Sequence, residues 1–114
     1  MTTHSPQFVL NFATGSASFS LSAEAALELR EALQTLLERL KISSGGPQRQ
    51  PQAPVEFRHR AEDLNLEVFC NPNIWPSPHA AKVLVTLKTQ VLRLSTEVEL
   101  SRLREDLSQY LEAL

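Results

Sequence analysis

Two stretches of the chain alternate apolar and polar residues before a helical pattern begins. Residues 8–12 alternate, Thr14-Gly15 is a turn signal, and residues 18–21 alternate serine with phenylalanine and leucine. A period of two residues is typical of a strand with one buried face, so we predict a β-hairpin here. The same pattern recurs at residues 83–94 around Lys88-Thr89, which predicts a second hairpin.

Each hairpin is followed by apolar residues spaced three and four positions apart. At about 100° per residue, both sets fall within a stripe about 100° wide, which predicts two amphipathic helices. Because the stripes match, we expect both helices to pack on the same kind of surface. The apolar positions are Ala26, Leu29, Leu33, Leu36, Leu37 and Leu40 in the first helix, and Leu100, Leu103, Leu107, Tyr110, Leu111 and Leu114 in the second.

A short repeat marks the two predicted helix starts. Leu21-Ser22-Ala23-Glu24 recurs as Leu94-Ser95-Thr96-Glu97. The serine hydroxyl of each copy can accept a first-turn N–H, which favours it as the N-cap, while Thr96 with Glu99 offers a capping box as the alternative in the second helix. We therefore predict two related halves, each built as strand, strand, helix.

Two further strands are predicted at Val55 to His59 and at Leu64 to Cys70, where apolar residues alternate with polar ones. Together with the hairpins they predict an α+β fold. We expect about six strands in one mainly antiparallel sheet, with two helices on one face of that sheet. The polar alternates expected on the opposite face are Asn11, Ser18, Ser20, Glu67, Thr86 and Arg93.

The chain length of 114 residues suits a single domain, 1–114. Within it the first half covers residues 7–41 and the second half covers residues 55–114. Residues 42–54 between them are rich in glycine, proline, serine and glutamine. Such a composition buries little apolar surface, so we predict a mobile linker.

Charge and composition exclude several classes of function. A net charge of -2 and a pI near 5.9 predict no nucleic-acid partner. The start, Met1 to Pro6, lacks the basic and apolar regions of a signal peptide, and no apolar run approaches the roughly 20 residues of a transmembrane helix. The single cysteine, Cys70, suits a reducing compartment. We expect a soluble, cytoplasmic protein without a transmembrane segment.

Residues capable of chemistry do not form a recognisable motif. If the two middle strands pair with His59 opposite Leu64, His59 and Cys70 lie on the order of 20 Å apart, so they cannot share a metal ion. The acidic pairs Glu62-Asp63 and Glu105-Asp106 fit a turn and a solvated helix face. Only three glycines are present and none forms a phosphate-binding loop. We predict no catalytic residue, no metal site and no cofactor.

The segment Asn71 to His79 joins two predicted strands and holds the only tryptophan and three of the seven prolines. Proline fixes φ and restricts the preceding residue, which predicts a stiff loop that projects its apolar side chains. Tryptophan is enriched in protein interfaces, which favours a partner contact. The predicted partner-binding residues are Ile74, Trp75, Pro76, Pro78 and His79. The alternative is that Ile74 and Trp75 fold back and cover one end of the core.

Small side chains on the first helix predict a close contact with another element. Ala25 and Ala32 lie on the flank where the second helical pattern carries Glu99 and Asp106. Such small residues allow close approach of either the second helix or a second copy of the chain. A homodimer through Ala25 and Ala32 and a purely internal contact are both open.

The stretch Glu62 to Pro76, followed by Leu94 to Glu97, resembles small conserved proteins of unassigned function from cyanobacteria. The resemblance covers mainly residues 55–114 and contains no catalytic motif. It implies at most a cytoplasmic or membrane-adjacent role in a photosynthetic cell. It assigns no function to any residue.

Two hypotheses of function follow. The first is a non-catalytic protein-interaction or assembly module that binds a protein partner. The alternative is a small-molecule-binding protein or minor enzyme with a pocket between the sheet and the helices.

Overall fold

The computed structural model describes residues 7–114, so the prediction made for Met1 to Pro6 lies outside the described residues. The predicted α+β class is confirmed, with six strands and two helices in that part of the chain. The elements are β1 (Gln7–Phe12), β2 (Gly15–Ser20), α1 (Ala23–Ser43), β3 (Val55–Ala61), β4 (Leu64–Cys70), β5 (Lys82–Lys88), β6 (Arg93–Glu99) and α2 (Leu100–Glu112), with 3-10 turns at Gly46–Gln48, Pro72–Ile74 and Pro78–Ala80.

The strands form two antiparallel sheets, so the prediction of one six-stranded sheet is wrong. β1 pairs with β2 alone, and the other four strands follow the order β3-β4-β5-β6. At the free edge of β1, the backbone N–H of Asn11 donates to the Asp106 carboxylate of α2 at 3.2 Å instead of to a neighbouring strand. A helix side chain thus satisfies a backbone donor that a sheet would otherwise pair.

The hairpin between β3 and β4 has a register different from the predicted one. His59 lies opposite Leu66 rather than Leu64, because β3 continues to Ala61 and the turn is made by Glu62-Asp63. Glu62 adopts a φ of 52°, the left-handed conformation that such a tight turn requires. Four residue positions then separate His59 from Cys70 along the strands, a distance of about 13 Å.

One apolar core fills the space between the helices and the inner face of the larger sheet. Its most buried residues include Leu29 and Leu33 of α1, Val83 of β5, and Leu103 and Leu107 of α2, each at most 1% exposed. The predicted stripes account for most helix contacts, since only Leu37, Tyr110 and Leu111 are half-buried and Leu114 is exposed. Burial of these side chains is the main stabilising contribution to the fold.

The two helix starts differ, so the predicted repeat is not confirmed. Ser22 caps α1 as expected, because its Oγ accepts a hydrogen bond from the backbone N–H of Ala25 at 3.1 Å. Leu94 to Glu97, in contrast, lies within β6, and α2 begins only at Leu100. The predicted caps at Ser95 and at Thr96 are therefore wrong. Ser95 instead forms a hydroxyl–hydroxyl hydrogen bond with Thr86 at 3.0 Å.

The predicted linker is shorter than expected and is tied to the folded body. Helix α1 continues to Ser43, two residues beyond the predicted end of the first half. The guanidinium of Arg39 donates to the carbonyl oxygens of Ala53 and Pro54, each at 3.1 Å. Among residues 7–114, no helix is long and apolar enough to cross a membrane.

Candidate interaction surface

The segment between β4 and β5 contains two capped 3-10 turns. Each turn begins with a proline, Pro72 or Pro78, whose fixed φ suits a first helical position. The Asn71 carboxamide oxygen accepts from the backbone N–H of Asn73 at 3.0 Å, and the Ser77 hydroxyl accepts from that of Ala80 at 3.3 Å. The local sequence therefore specifies this conformation through both φ and capping.

Contacts with two distant segments hold the same loop in place. Ser43, at the end of α1, donates its hydroxyl to the carbonyl oxygen of Pro72 at 2.9 Å. The Asn73 carboxamide pairs with the backbone of Gln52, accepting from its N–H at 2.8 Å and donating to its carbonyl at 2.7 Å. Pro72 itself is buried. These long-range bonds support the predicted stiffness of the loop.

Trp75 is half-buried and packs against the core, as the fold-back alternative expected. Its Nε1 is buried and makes no hydrogen bond of normal geometry to any described residue. The indole N–H nevertheless lies close enough to Cys70 to influence its thiol. Trp75 is thus the inner anchor of the loop, rather than its exposed tip.

Cys70 occupies the core position that the alternating strand pattern predicted. Its thiol donates to the carbonyl oxygen of Lys82 at 3.4 Å. Burial raises the pKa of this thiol to about 11, and the Trp75 indole N–H opposes the rise only in part. A thiol with that pKa stays protonated near neutral pH and is a poor nucleophile.

The neighbouring loop residues face solvent, as the interaction hypothesis requires. Ile74 is 67% exposed, Pro76 and His79 are exposed, and Pro78 is half-buried. We call these four residues the loop surface. Beside it lies a cleft of about 320 Å³. The cleft is lined by Leu37, Ser77, Pro78, His79, Leu100, Ser101 and Arg104.

A second concave region lies between α1 and α2 rather than between the sheet and the helices. This groove measures about 500 Å³, and its rim includes Arg30, Glu31, Arg104 and Glu105. Core side chains occupy the space beneath the helices, where Leu29 and Val85 are at most 2% exposed. A small molecule would therefore find room between the helices, within the size range of known ligand pockets.

The two alanines predicted for self-association have different surroundings. Ala25 is 1% exposed within the single chain, so an internal contact already covers it. Ala32 is half-buried and also packs against the core. The internal-contact alternative thus accounts for Ala25.

One polar cluster was missed by the sequence patterns. Asp106 is 6% exposed, whereas the sequence predicted a solvated helix face. Its carboxylate accepts hydrogen bonds from the backbone and side chain of Asn11 and from Arg102. The position of Asp106 on the helix could have indicated its burial, because it falls only about 40° beyond the edge of the apolar stripe on α2. This cluster joins β1 to α2.

The described residues offer no metal-binding constellation. Within residues 7–114, no group of three or more histidine, cysteine, aspartate or glutamate side chains could hold a metal ion. Comparison with protein-family models, with curated proteins and with solved structures found no match. The resemblance to small conserved cyanobacterial proteins stays a prediction.

Proposed function

We propose that this chain is a non-catalytic protein-interaction or assembly module that binds a cytoplasmic protein partner through the loop surface. One observation supports the proposal most directly. The segment from Asn71 to Ala80 is tied down by side-chain hydrogen bonds, yet it leaves Ile74 67% exposed. A rigid backbone that presents an apolar side chain to water has the form of a preorganised contact.

Preorganisation favours binding because little conformational entropy remains to be lost. Immobilising a flexible side chain at an interface costs roughly 0.5 to 1.5 kcal/mol, and ordering a loop costs more. Here Trp75 is already packed on the core, and two asparagines already bond their neighbours. The partner best suited to Ile74 is a protein with a shallow apolar pocket and a polar rim that can reach His79.

Site-specific photo-crosslinking tests this proposal. A photoreactive residue at position 74 should capture one discrete partner in the native cell. The matched control carries the same group at Val91, which is 95% exposed on the turn between β5 and β6. Capture at position 74 alone, abolished by His79→Glu in the same chain, supports the loop surface. Equal capture from both positions, or from neither, would reject it.

The groove between α1 and α2 supports the second candidate function, the binding of a small molecule. Its volume of about 500 Å³ and its mixed charges suit a compact polar ligand. A ligand present at about 100 times its Kd should stabilise the protein by about 2.7 kcal/mol, which a thermal melt detects. A melting shift that Arg104→Ala removes would favour this function. Unchanged melting across metabolite classes would count against it.

A further inference from the structure

A second surface, separate from the loop, lies on the outer face of the four-stranded sheet. Residues opposite one another in antiparallel strands share a face. Phe69 of β4 lies opposite Leu84 of β5 on the outer face, and their side chains are 39% and 42% exposed, respectively. The same row ends in Glu56 on one side and Glu97 on the other. An apolar pair therefore sits between two acidic side chains.

Positive charge dominates the same face farther along the strands. The row that passes through Asn65 holds Arg60, Lys88 and Arg93. Between the two rows, Glu67 pairs with Lys88 at 2.8 Å and with Arg58 at 3.6 Å. The Lys88 hydrogen bond, aided by the charges of Arg58 and Arg93, lowers the pKa of Glu67 below its usual range. Among the described residues, Arg60 and Arg93 have no ion-pair partner.

The outer side of α1 carries the complementary pattern. Glu24, Glu28, Glu31 and Glu38 recur at helical spacing, all are exposed, and none forms an ion pair with a described residue. Ile42 continues this stripe toward the end of the helix and is 46% exposed. The stripe is thus acidic along most of its length and apolar at one end.

We propose that the outer stripe of α1 from one copy docks along the outer sheet face of a second copy of the same chain. The spacing of charges supports this occupant. From Ile42, Glu38 lies about 6 Å and Glu31 about 16 Å along the helix axis. From Phe69, the row of Arg58 and Glu67 lies about 7 Å and the row of Arg60 about 13 Å along the strands. With Ile42 on the Phe69–Leu84 pair, Glu38 reaches Arg58, and Glu31 reaches the row of Arg60.

The alternation of charge on the sheet face favours a patterned helix over a uniform polyanion. A nucleic acid or an anionic membrane would meet Glu56 and Glu97 as repulsive groups. The helix stripe places the apolar Ile42 at the acidic row instead. Glu38 and Glu31 then face Arg58 and the row of Arg60, while Glu28 and Glu24 extend past that row.

The two surfaces lie on opposite sides of the molecule, because α1 packs with its apolar stripe toward the inner face of the sheet. A contact between unlike surfaces is heterologous, so copies add head to tail and form a ring or an open chain. Exposed ion pairs dominate the contact. Its affinity should therefore fall as salt rises from about 0.01 M to about 1 M, where the screening length shrinks from about 30 Å to about 3 Å.

Charge-swap variants test the proposal by sedimentation velocity on the full chain at low salt. Glu31→Lys and Arg60→Glu should each weaken self-association roughly fivefold to tenfold, since each replaces an attraction by a repulsion. An equimolar mixture of the two variants, or the double variant, should associate as the wild type does. Glu112→Lys and Arg49→Glu are the matched controls, because they change the net charge equally at exposed positions elsewhere.

Three results would overturn the proposal. The wild type could stay monomeric at low salt and high concentration, or the mixed variants could fail to recover association. The wild type could also bind phosphatidylserine vesicles through Arg60 without self-associating, which would assign the basic row to lipid. The proposal uses no residue of the loop surface, so a failed crosslink at position 74 leaves it standing.

Discussion

Each helix follows a pair of antiparallel strands, β1-β2-α1 in what we call the first unit and β5-β6-α2 in the second unit, but strand and helix are joined in different ways. In the first unit, Leu21 and Ser22 separate β2 from α1, and Ser22 caps the helix. In the second unit, β6 runs directly into α2, where Glu99 makes no side-chain cap bond. The backbone N–H of Leu100 donates instead to the carbonyl oxygen of Ala81 at 3.0 Å. The first backbone N–H groups of a helix, which have no acceptor within the helix, can thus bond either a neighbouring side chain or a distant segment.

Sheet pairing explains why the similar tetrapeptides diverge. β6 pairs with β5 along its whole length, from Arg93 opposite Lys88 to Glu99 opposite Lys82. A helix start at Ser95 would break most of this ladder, whereas a cap contributes only about 1 kcal/mol. Helix α2 is then fixed to the first unit by three long-range contacts. Asp106 bonds Asn11, and Tyr110 donates its hydroxyl to the carbonyl oxygen of Leu21 while its ring packs on Phe8.

A large effect is expected at the anchor of the second unit. Asp106→Ala should lower the free energy of unfolding by about 3 kcal/mol, because it leaves the part-buried N–H of Asn11 unpaired and removes the partner of Arg102. Urea unfolding measures the loss. Glu105→Ala, on the exposed side of the same helix, is the control and should cost less than about 0.5 kcal/mol. A loss below about 1 kcal/mol for Asp106→Ala would show that this anchor is dispensable.

A smaller effect is expected at the local cap of the first unit. Ser22→Ala should cost about 1 kcal/mol, since the backbone N–H of Ala25 loses its acceptor. Ser22→Asp serves as the control, because aspartate caps a helix equally well and should restore stability. Equal losses for both variants, measured by urea unfolding, would contradict the capping role.

A smaller loss of stability is expected at Ser95, the serine in the second copy of the repeated tetrapeptide. Ser95→Ala should cost about 0.5 kcal/mol, the loss of one partly exposed hydrogen bond to Thr86. Ser95→Val should be tolerated, because valine favours a strand and disfavours a cap. If Ser95→Val cost as much as Ser22→Val by the same measurement, the two positions would be equivalent and the comparison would fail.

The sequence patterns located the six strands and two α-helices of the described residues, because period two and period 3.6 report which side chains are buried, but they did not predict the three 3-10 turns. They misplaced the start of α2, since Leu94 to Glu97 satisfies a capping signal and a strand pattern equally well. The break between the two sheets was also missed, as was the contact between Asp106 and Asn11, which are 95 residues apart in sequence. Long-range contacts of this kind leave no local pattern.

At the candidate site, the prolines predicted a stiff loop, and the hydrogen bonds of Asn71, Asn73 and Ser77 agree with that prediction. The sequence left the direction of each side chain open. Ile74 and Trp75 are adjacent, yet one faces solvent and the other packs against the core. This division accompanies the 3-10 turn that ends at Ile74.

Paired alanine variants in this loop test most directly the central claim that Trp75 is its anchor and Ile74 its exposed contact. In urea unfolding, Trp75→Ala should lower the free energy of unfolding by about 3 kcal/mol, because a large aromatic side chain that packs against the core is removed. Ile74→Ala should change it by less than about 0.5 kcal/mol, because that side chain contributes little to the fold. A loss of about 2 kcal/mol or more from Ile74→Ala, or none from Trp75→Ala, would contradict the account.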